Sequence, residues 1–383
     1  MKAVFWISAF VVAYVYVGYP ALLAIWARLS RRARRGEAAP GGADRPWPAV
    51  SIVVAVRNEA ARLPARIENL LALDYPAGLL EMIVVSNGST DGTAAVLERY
   101  ASRVRAIVLG RSGKATAINA GVAAARHEMV VFADARQQFA PDALKRLVAR
   151  FDDPAIGAVS GELVIDAEES GAAAGASSVG EGVGLYWRYE KWIRRHESDV
   201  WSVVGATGAI YALRRSLWTA LPEETVLDDV LAPMRIVLDG YRVVFEPGAR
   251  AFDVVSPDAG TEERRKVRTL AGNFQLLWLE PRLLWPIANP IWLQFVSHKV
   301  GRLVVPYALV ALLLSSMALA STGPVYALAL VAQVGFYVLA AHGAIVAIEG
   351  GRAPAAAARP SPVPVPAPVR KRRREELVNA QVD

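Results

Sequence analysis

Acidic side chains that could handle a charged substrate occur at two widely separated places in this chain. Asp134 directly follows a short apolar run at residues 129–133, and Asp228 and Asp229 open a helix-like run. A carboxylate at the carboxyl end of a strand lies at the edge where open α/β sheets bind their ligands. The two acidic positions therefore predict a site at one edge of a sheet.

Polar side chains upstream of Asp134 also follow predicted strands. Glu59 comes after the first strand, and Ser86 and Asn87 come after the second, where they could hold a base and a ribose. Lys114 opens a predicted helix, where it could neutralise a phosphate together with the helix dipole. Each signal has a structural alternative: the segment 86–93 reads equally as a turn with a helix cap, and Lys114 as a solvated surface lysine.

Composition limits the chemistry. The 383 residues include no cysteine, which excludes disulfides and thiol catalysis, and the four histidines are not spaced as a metal pair. A metal would need carboxylate ligands, which favours Mg²⁺ or Mn²⁺. The net charge of +7 does not indicate nucleic acid, because no nucleic-acid-binding motif occurs and the basic clusters flank apolar segments.

The elements that must position these residues alternate between strand and helix, and hydrophobic segments flank them. Hydrophobic residues make up 54% of the chain and charged residues 21%, so we expect one part in a membrane and one part outside it. Six regions are predicted: a transmembrane anchor (1–28), a basic Gly/Pro linker (29–48), an α/β domain (49–280), an interfacial helix (281–302), a transmembrane hairpin (303–348) and a disordered basic tail (349–383).

The distribution of basic residues predicts the orientation. Arginine clusters follow the first span and end the tail, and Lys299 and Arg302 precede the hairpin. Three spans place all of them on one side, which is the cytoplasmic side by the positive-inside rule. The α/β domain is therefore expected in the cytoplasm.

Five motifs, taken in order, resemble the inverting GT-A-type glycosyltransferases of family 2, especially the membrane-embedded branch that includes cellulose and hyaluronan synthases. The motifs lie at residues 56–59, 86–93, 111–121, 134–136 and 228–229, and the resemblance extends over about 49–274. It implies a GT-A-type α/β domain with a central mixed, mostly parallel sheet. One N-terminal and two C-terminal transmembrane helices would flank that domain.

The resemblance also implies roles in binding a nucleotide-sugar donor. Asp134 matches the first acid of the Asp-x-Asp motif, which holds the sugar diphosphate and its Mg²⁺ or Mn²⁺. Arg136 replaces the second acid, so either the metal binds through Asp134 and the diphosphate, or Arg136 itself neutralises the diphosphate. The donor site implied in this way contains Glu59, Ser86, Asn87, Lys114, Asp134, Arg136 and Arg268.

On the acceptor side, the resemblance implies that Asp229 is the general base. Thr207, Gly208, Asp228 and Trp187 would line the acceptor site, and the acceptor would be a lipid-linked sugar or a growing polysaccharide. Thr269 replaces a tryptophan that stacks on the growing sugar, which argues against a long-chain synthase. Two alternatives stay open: a processive synthase, assisted by partner membrane subunits, and a non-catalytic nucleotide-binding membrane subunit.

Overall fold

The computed structural model describes residues 1–34, 46–165, 178–253 and 259–350. Most of the predicted linker and nearly all of the predicted tail fall outside these residues. Within the described residues, eight strands form one sheet in the order β3-β2-β1-β4-β7-β6-β8-β5. Their bounds are β1 (Val50–Val56), β2 (Leu80–Asn87), β3 (Arg105–Leu109), β4 (Met129–Ala133), β5 (Gln138–Phe139), β6 (Ile156–Ile165), β7 (Ile210–Arg214) and β8 (Arg242–Asp253).

Strand direction confirms the predicted mixed, mostly parallel sheet. The strands β3, β2, β1 and β4 run parallel to one another, with Val50 of β1 opposite Leu80 of β2. The strand β7 is antiparallel to both of its neighbours, β4 and β6, and β8 is parallel to β6. As a result, β1, β2, β4, β6 and β8 all end at the same edge of the sheet.

Twelve α-helices accompany the sheet in the described residues. They are α1 (Lys2–Ala13), α2 (Tyr19–Arg34), α3 (Leu63–Leu71), α4 (Thr93–Arg99), α5 (Lys114–Ala124), α6 (Ala143–Ala149), α7 (Ser178–Val200), α8 (Asp228–Leu238), α9 (Ala259–Leu279), α10 (Trp292–Phe295), α11 (Gly301–Leu319) and α12 (Pro324–Gly350).

The central strands β1 and β4 are buried on both faces because helices cover both sides of the sheet. Side chains alternate along β1, so Ile52 packs in one core with Leu63 of α3, while Val53 packs in the other with Ile118 of α5. At Gly121 an added Cβ would lie 2.4 Å from Cγ1 of Val53. A glycine there lets α5 approach β1 closely, which places the first turn of α5 at the carboxyl edge.

In the part of the chain that the structure describes, three helical segments are long and apolar enough to cross a membrane: Lys2–Ser30, Trp292–Thr322 and Pro324–Gly343. They confirm the expected arrangement of one N-terminal and two C-terminal spans. The predicted interfacial helix at 281–302 differs from the structure, because the helix of the second span already begins at Trp292. His298 and Arg302 lie in that helix since carboxylates of α7 pair with them, so neither side chain has to reach the membrane surface.

The helix α7 connects the α/β domain to the spans. Glu197 of α7 is fully buried, where it accepts hydrogen bonds from the Tyr19 hydroxyl (2.7 Å) and the His298 ring (2.8 Å). Glu190, two turns earlier, pairs with Arg302. These contacts hold the first and second spans against one face of α7.

Candidate active site

A lysine lies between two carboxylates at the carboxyl edge of the sheet. Lys114 is the first residue of α5, Asp134 directly follows β4, and Asp228 is the first residue of α8. Lys114 Nζ lies 3.4 Å from Asp134 Oδ1 and 3.3 Å from Asp228 Oδ2. The fold thus brings together three of the residues that sequence reasoning selected from distant parts of the chain.

The charges in this cluster depend on one another. Burial alone would lower the pKa of Lys114, but the carboxylates of Asp228, Asp134 and Asp229 outweigh it and raise that pKa. Burial raises the pKa of Asp228 to about 6, against the opposing effect of Lys114. Lys114 is therefore a fixed cation, whereas Asp228 can change its charge near neutral pH.

Asp229 has a different environment from its neighbour Asp228. Its Oδ2 accepts a hydrogen bond from the backbone N–H of Gly208 (3.1 Å), and it is half-buried rather than buried. Within the described residues, Oδ1 of Asp229 makes no hydrogen bond. A Cβ at Gly208 would lie 2.7 Å from Oδ2, so only glycine allows this approach. The hydrogen bond from Gly208 orients the Asp229 carboxylate through Oδ2, and Oδ1 is left available to contact a bound molecule.

Thr207 lies next to this carboxylate on the predicted acceptor side. Its hydroxyl accepts a hydrogen bond from Arg194 Nη1 of α7 (2.8 Å), and its backbone N–H donates to the Ser160 hydroxyl (2.9 Å). Thr207 and Gly208 thus form a turn that is held by β6 and α7 and faces Asp229.

The loops after β1 and β2 are tied together by polar contacts. Asn58 has a positive φ of 55°, and its side chain accepts a hydrogen bond from the Thr90 backbone N–H (2.8 Å). Glu59 lies in this loop, where it pairs with Arg62 at 3.1 Å. The structure therefore places Glu59 at the edge of the sheet, next to the loop that follows β2.

Ser86 and Asn87 lie at the end of β2, and both are buried. The amide of Asn87 donates to the Ser112 carbonyl (2.6 Å) and accepts from the Ser112 backbone N–H (2.8 Å). The Ser86 hydroxyl lies 3.0 Å from that of Ser89. In this structure Asn87 joins the β2 loop to the loop that leads into Lys114.

Arg136, which stands where the resemblance implies a second acid, turns towards the last residue of β8. Its guanidinium pairs with Asp253, which also accepts a hydrogen bond from Gln137 Nε2 (2.9 Å). Asp134 is therefore the only acid in this motif, and Lys114 lies beside it. The described residues contain no group of three His, Cys, Asp or Glu side chains that could hold a metal ion. This donor set does not fit a metal site built by protein ligands alone.

The remaining predicted residues, Arg268 and Trp187, lie on α9 and α7. Arg268 is exposed on α9, and its Nη2 lies 3.4 Å from the carbonyl of Val226, just before α8. Trp187 is half-buried on α7, four residues before Lys191 and hence on the same helical face.

Sequence reasoning missed three residues that surround the cluster. Arg66 of α3 is buried above the Phe139 ring, and burial lowers its pKa to about 9 although Asp134 acts in the opposite direction. Tyr211 of β7 is fully buried; burial and the nearby carboxylates raise its pKa. Gln275 of α9 hydrogen-bonds the loop before α8. In the sequence all three look like ordinary helix or strand residues, so no signal distinguished them.

Residues 51–219 match the family described as "Glycosyl transferase family 2". The structure resembles the solved structure "Mannosyltransferase PcManGT from Pyrobaculum calidifontis in complex with GDP-Man and Mn2+", with a TM-score of 0.66 and 24% sequence identity. The superposition covers 88% of this chain and 92% of that chain. That likeness concerns the fold. With the sheet and its edge, the family match identifies a family 2 glycosyltransferase domain of GT-A fold.

Curated relatives support the same family. An N-acetylglucosaminyltransferase of Mesorhizobium japonicum is 25% identical over 295 residues, which are 70% of this chain and 65% of that protein. A poly-beta-1,6-N-acetyl-D-glucosamine synthase of Staphylococcus aureus is 25% identical over 235 residues, which are 60% of this chain and 55% of that protein. A beta-monoglucosyldiacylglycerol synthase of Synechocystis is 32% identical over 120 residues, 30% of this chain and 25% of that protein. The chain thus matches less than two thirds of the length of each.

Proposed function

We propose that this protein is a membrane glycosyltransferase that transfers one sugar, with inversion, from a nucleotide-sugar donor to a lipid-linked or glycan acceptor. The observation that carries the proposal is the position of Lys114 between Asp134 and Asp228, with Asp229 next along α8. A cation for the departing diphosphate and a carboxylate for the attacking hydroxyl then lie at one sheet edge, and an inverting displacement needs both.

In the proposed reaction, an acceptor hydroxyl lies against Oδ1 of Asp229. The hydroxyl oxygen attacks the anomeric carbon from the face opposite the diphosphate, while its proton passes to Asp229. The bond from the anomeric carbon to the diphosphate oxygen breaks, and the nucleoside diphosphate leaves with that electron pair. The hydrogen bond from Gly208 holds the base in place, and Lys114 stabilises the negative charge on the leaving group.

On the donor side, Arg268 on α9 would assist Lys114, and Glu59, Ser86 and Asn87 belong to the loops expected to bind the nucleoside. Because Arg136 pairs with Asp253, its proposed role in binding the donor requires that this pair opens or that the guanidinium contacts the donor while paired. We propose a UDP-sugar as the donor.

Mg²⁺ or Mn²⁺ is the proposed cofactor, with Asp134 as its protein ligand. Since the chain supplies one carboxylate here, the donor's diphosphate would have to supply the other charged ligands. A bound cation would add charge neutralisation at the diphosphate. No step of the proposed reaction depends on this cation, because Lys114 provides a positive charge beside Asp134.

The cytoplasmic face of a cell membrane is the proposed location. The structure supports a position at a membrane, and the basic residues that flank the spans favour the cytoplasmic side. Three segments are able to span a membrane, and the α/β domain lies between the first and the second of them in the chain. A nucleotide-sugar donor is available in the cytoplasm, and α7 places the domain directly against the first two spans.

The first experiment measures nucleotide release by the purified full-length protein in detergent, with a panel of UDP- and GDP-sugars, in Mg²⁺, Mn²⁺ or EDTA. We expect release with one donor, and a loss of about 10²- to 10⁴-fold in Asp229→Asn, the range for removal of a general base. Asp239→Asn, an exposed acid at the end of the same helix, is the matched control and should retain full activity.

The outcomes separate the alternatives. Donor binding without turnover by the wild type would contradict the proposal and favour the non-catalytic nucleotide-binding subunit. Equal turnover by Asp229→Asn and wild type would show that another group is the base. Long products from a single acceptor would favour the processive synthase over the transfer of one sugar.

A further inference from the structure

A groove of about 540 Å³ lies between α7 and the strands β6 and β8, and the proposed chemistry does not use it. Lys191 and Arg195 of α7 form one wall. The other wall consists of Glu162, Val164, Pro247, Gly248 and Arg250. We refer to it as the α7 groove. Three of its lining side chains are cations and one is a carboxylate.

Among the described residues, the side chains that line the α7 groove carry a surplus of two positive charges. Lys191 Nζ lies 2.9 Å from Glu162 Oε1, so these two charges compensate each other. Arg195 and Arg250 are exposed, and neither lies within 4.0 Å of a carboxylate in the part of the chain that the structure describes. Two guanidinium groups that have no counter-charge among the described residues favour the binding of an anion in this groove.

The strand β6 contributes both to the groove and to the acceptor side of the candidate active site. The pairing of β6 with β8 shifts in register between Ser160 and Glu162. Val159 and Leu163 nevertheless pack in the same core, so Ser160 and Glu162 share the opposite face of the sheet. Ser160 contacts Thr207, which lies beside Asp229, and Glu162 lines the groove. The distance between them along the strand is roughly 7 Å. An acceptor whose hydroxyl reaches Asp229 would therefore extend towards Arg195 and Arg250.

The groove also lies close to the proposed membrane surface. The face of α7 that carries Tyr189 and Glu197 packs against the first two spans, with the Tyr189 hydroxyl 3.1 Å from the carbonyl of Tyr16. Lys191 and Arg195 face the groove on another side of the same helix. The groove is thus separated from the spans by one helix, whose diameter is about 10 Å.

We propose that the α7 groove binds a phosphate group of the acceptor, so that the acceptor is a membrane lipid that carries its sugar on phosphate. Arg195 and Arg250 would each bind phosphate oxygens, a geometry that suits the planar guanidinium group. Trp187, on the same face of α7, would cover the sugar between the groove and Asp229. This inference rests on the proposed transferase function and specifies the class of its acceptor.

The test uses the full-length protein in phosphatidylcholine nanodiscs, with the nucleotide sugar that supports donor hydrolysis. Glucose, galactose and N-acetylglucosamine are each offered on the same isoprenoid chain, joined either through a diphosphate or directly through oxygen. We expect the diphosphate-linked form of the accepted sugar to have a kcat/KM at least about tenfold higher. In the double variant Arg195→Ala/Arg250→Ala, KM for that acceptor should rise about tenfold or more.

Controls keep this result distinct from a failure of the proposed function. The double variant should hydrolyse donor without acceptor at the wild-type rate and use the directly linked acceptor as the wild type does. Arg103→Ala/Arg126→Ala removes two exposed charges elsewhere and should leave every value unchanged. If the wild type does not hydrolyse the donor, that result contradicts the proposed function itself and not only the assignment of the groove.

Three results would overturn the inference while leaving the transferase intact. The first is equal use of the two linkages by the wild type. The second is an equal loss with both acceptors in the double variant. The third is an effect of the double variant that appears only when phosphatidylglycerol is added to the nanodiscs, which would assign the groove to a lipid headgroup.

Discussion

At the scale of single residues, the adjacent acids Asp228 and Asp229 are set apart by their surroundings. Asp228 is buried against Lys114, whereas Asp229 is half-buried and holds one oxygen towards the backbone of Gly208. A general base must reach the proton that it removes, so a buried carboxylate held against Lys114 is badly placed, whereas a half-buried carboxylate with an available oxygen is well placed. The geometry therefore favours Asp229 as the base and gives Asp228 the task of holding Lys114.

This division of roles predicts a pH dependence of donor binding. As pH falls through about 6, Asp228 takes up a proton, and the group formed by Lys114, Asp134 and Asp228 changes from a net charge of −1 to 0. The anionic diphosphate is then repelled less. We expect the donor KM to fall by roughly threefold to tenfold between about pH 7.5 and about pH 5, measured by initial rates of nucleotide release.

Two variants test the origin of that change. Asp228→Asn should have a low donor KM that no longer varies over this pH range, because the titrating carboxylate is absent. Asp239→Asn, at the exposed end of α8, should keep the wild-type profile. A donor KM that rises as the pH is lowered would contradict the sign of the argument.

At the scale of elements, α9 positions the loop that leads into α8. Gln275 Oε1 accepts a hydrogen bond from the Val226 backbone N–H, and its Nε2 donates to the Glu224 carbonyl, both at 2.9 Å. At Gly272 a Cβ would lie 2.7 Å from the Leu227 side chain, so α9 packs directly on this loop. The position of Asp228 and Asp229 thus depends on a helix that supplies neither acid.

We predict that Gln275→Ala lowers kcat by about tenfold or more while the donor KM changes little, since a small displacement of a catalytic group costs much of its effect. Gln275→Glu keeps the acceptor oxygen for Val226 and should lose less. Lys266→Ala, on an exposed part of α9, is the control for general effects on the helix. Steady-state kinetics with a melting curve for each variant would decide; an unchanged kcat in Gln275→Ala would refute the positioning role.

The sequence predicts the elements better than their side-chain partners. Apolar runs such as Val50–Val56 and the short periodic helices were predictable, because burial of Val and Ile in a sheet depends on local pattern. The convergence of Lys114 with Asp134 and Asp228 was expected from strand ends and motif order. The pairing of Arg136 with Asp253 was not, since these residues are 117 positions apart and meet only because β5 pairs with β8. The hydrogen bonds of Gln275 could not be predicted either, because they join α9 to a loop 49 to 51 positions earlier in the chain.

At the scale of the whole molecule, the domain and the spans share a buried polar network. Glu197 connects Tyr19 of the first span and His298 of the second span to α7, which also contributes Arg194 to the turn beside Asp229. Buried polar groups are costly unless they are fully paired, so this network fixes the orientation of the domain on the first two spans. The turn beside Asp229 is thereby connected to the first two spans through a single helix, α7.

The absence of cysteine from the sequence allows a direct test of the proposed topology. Three spans place the α/β domain and the link between the last two spans on opposite sides of the membrane. In intact cells, a membrane-impermeant maleimide should label Ser321→Cys, in that link, when added from outside. Ser102→Cys, exposed in the domain, should react only after permeabilisation. Because each variant carries a single thiol, labelling of Ser102→Cys in intact cells would place the domain outside and exclude a cytoplasmic donor.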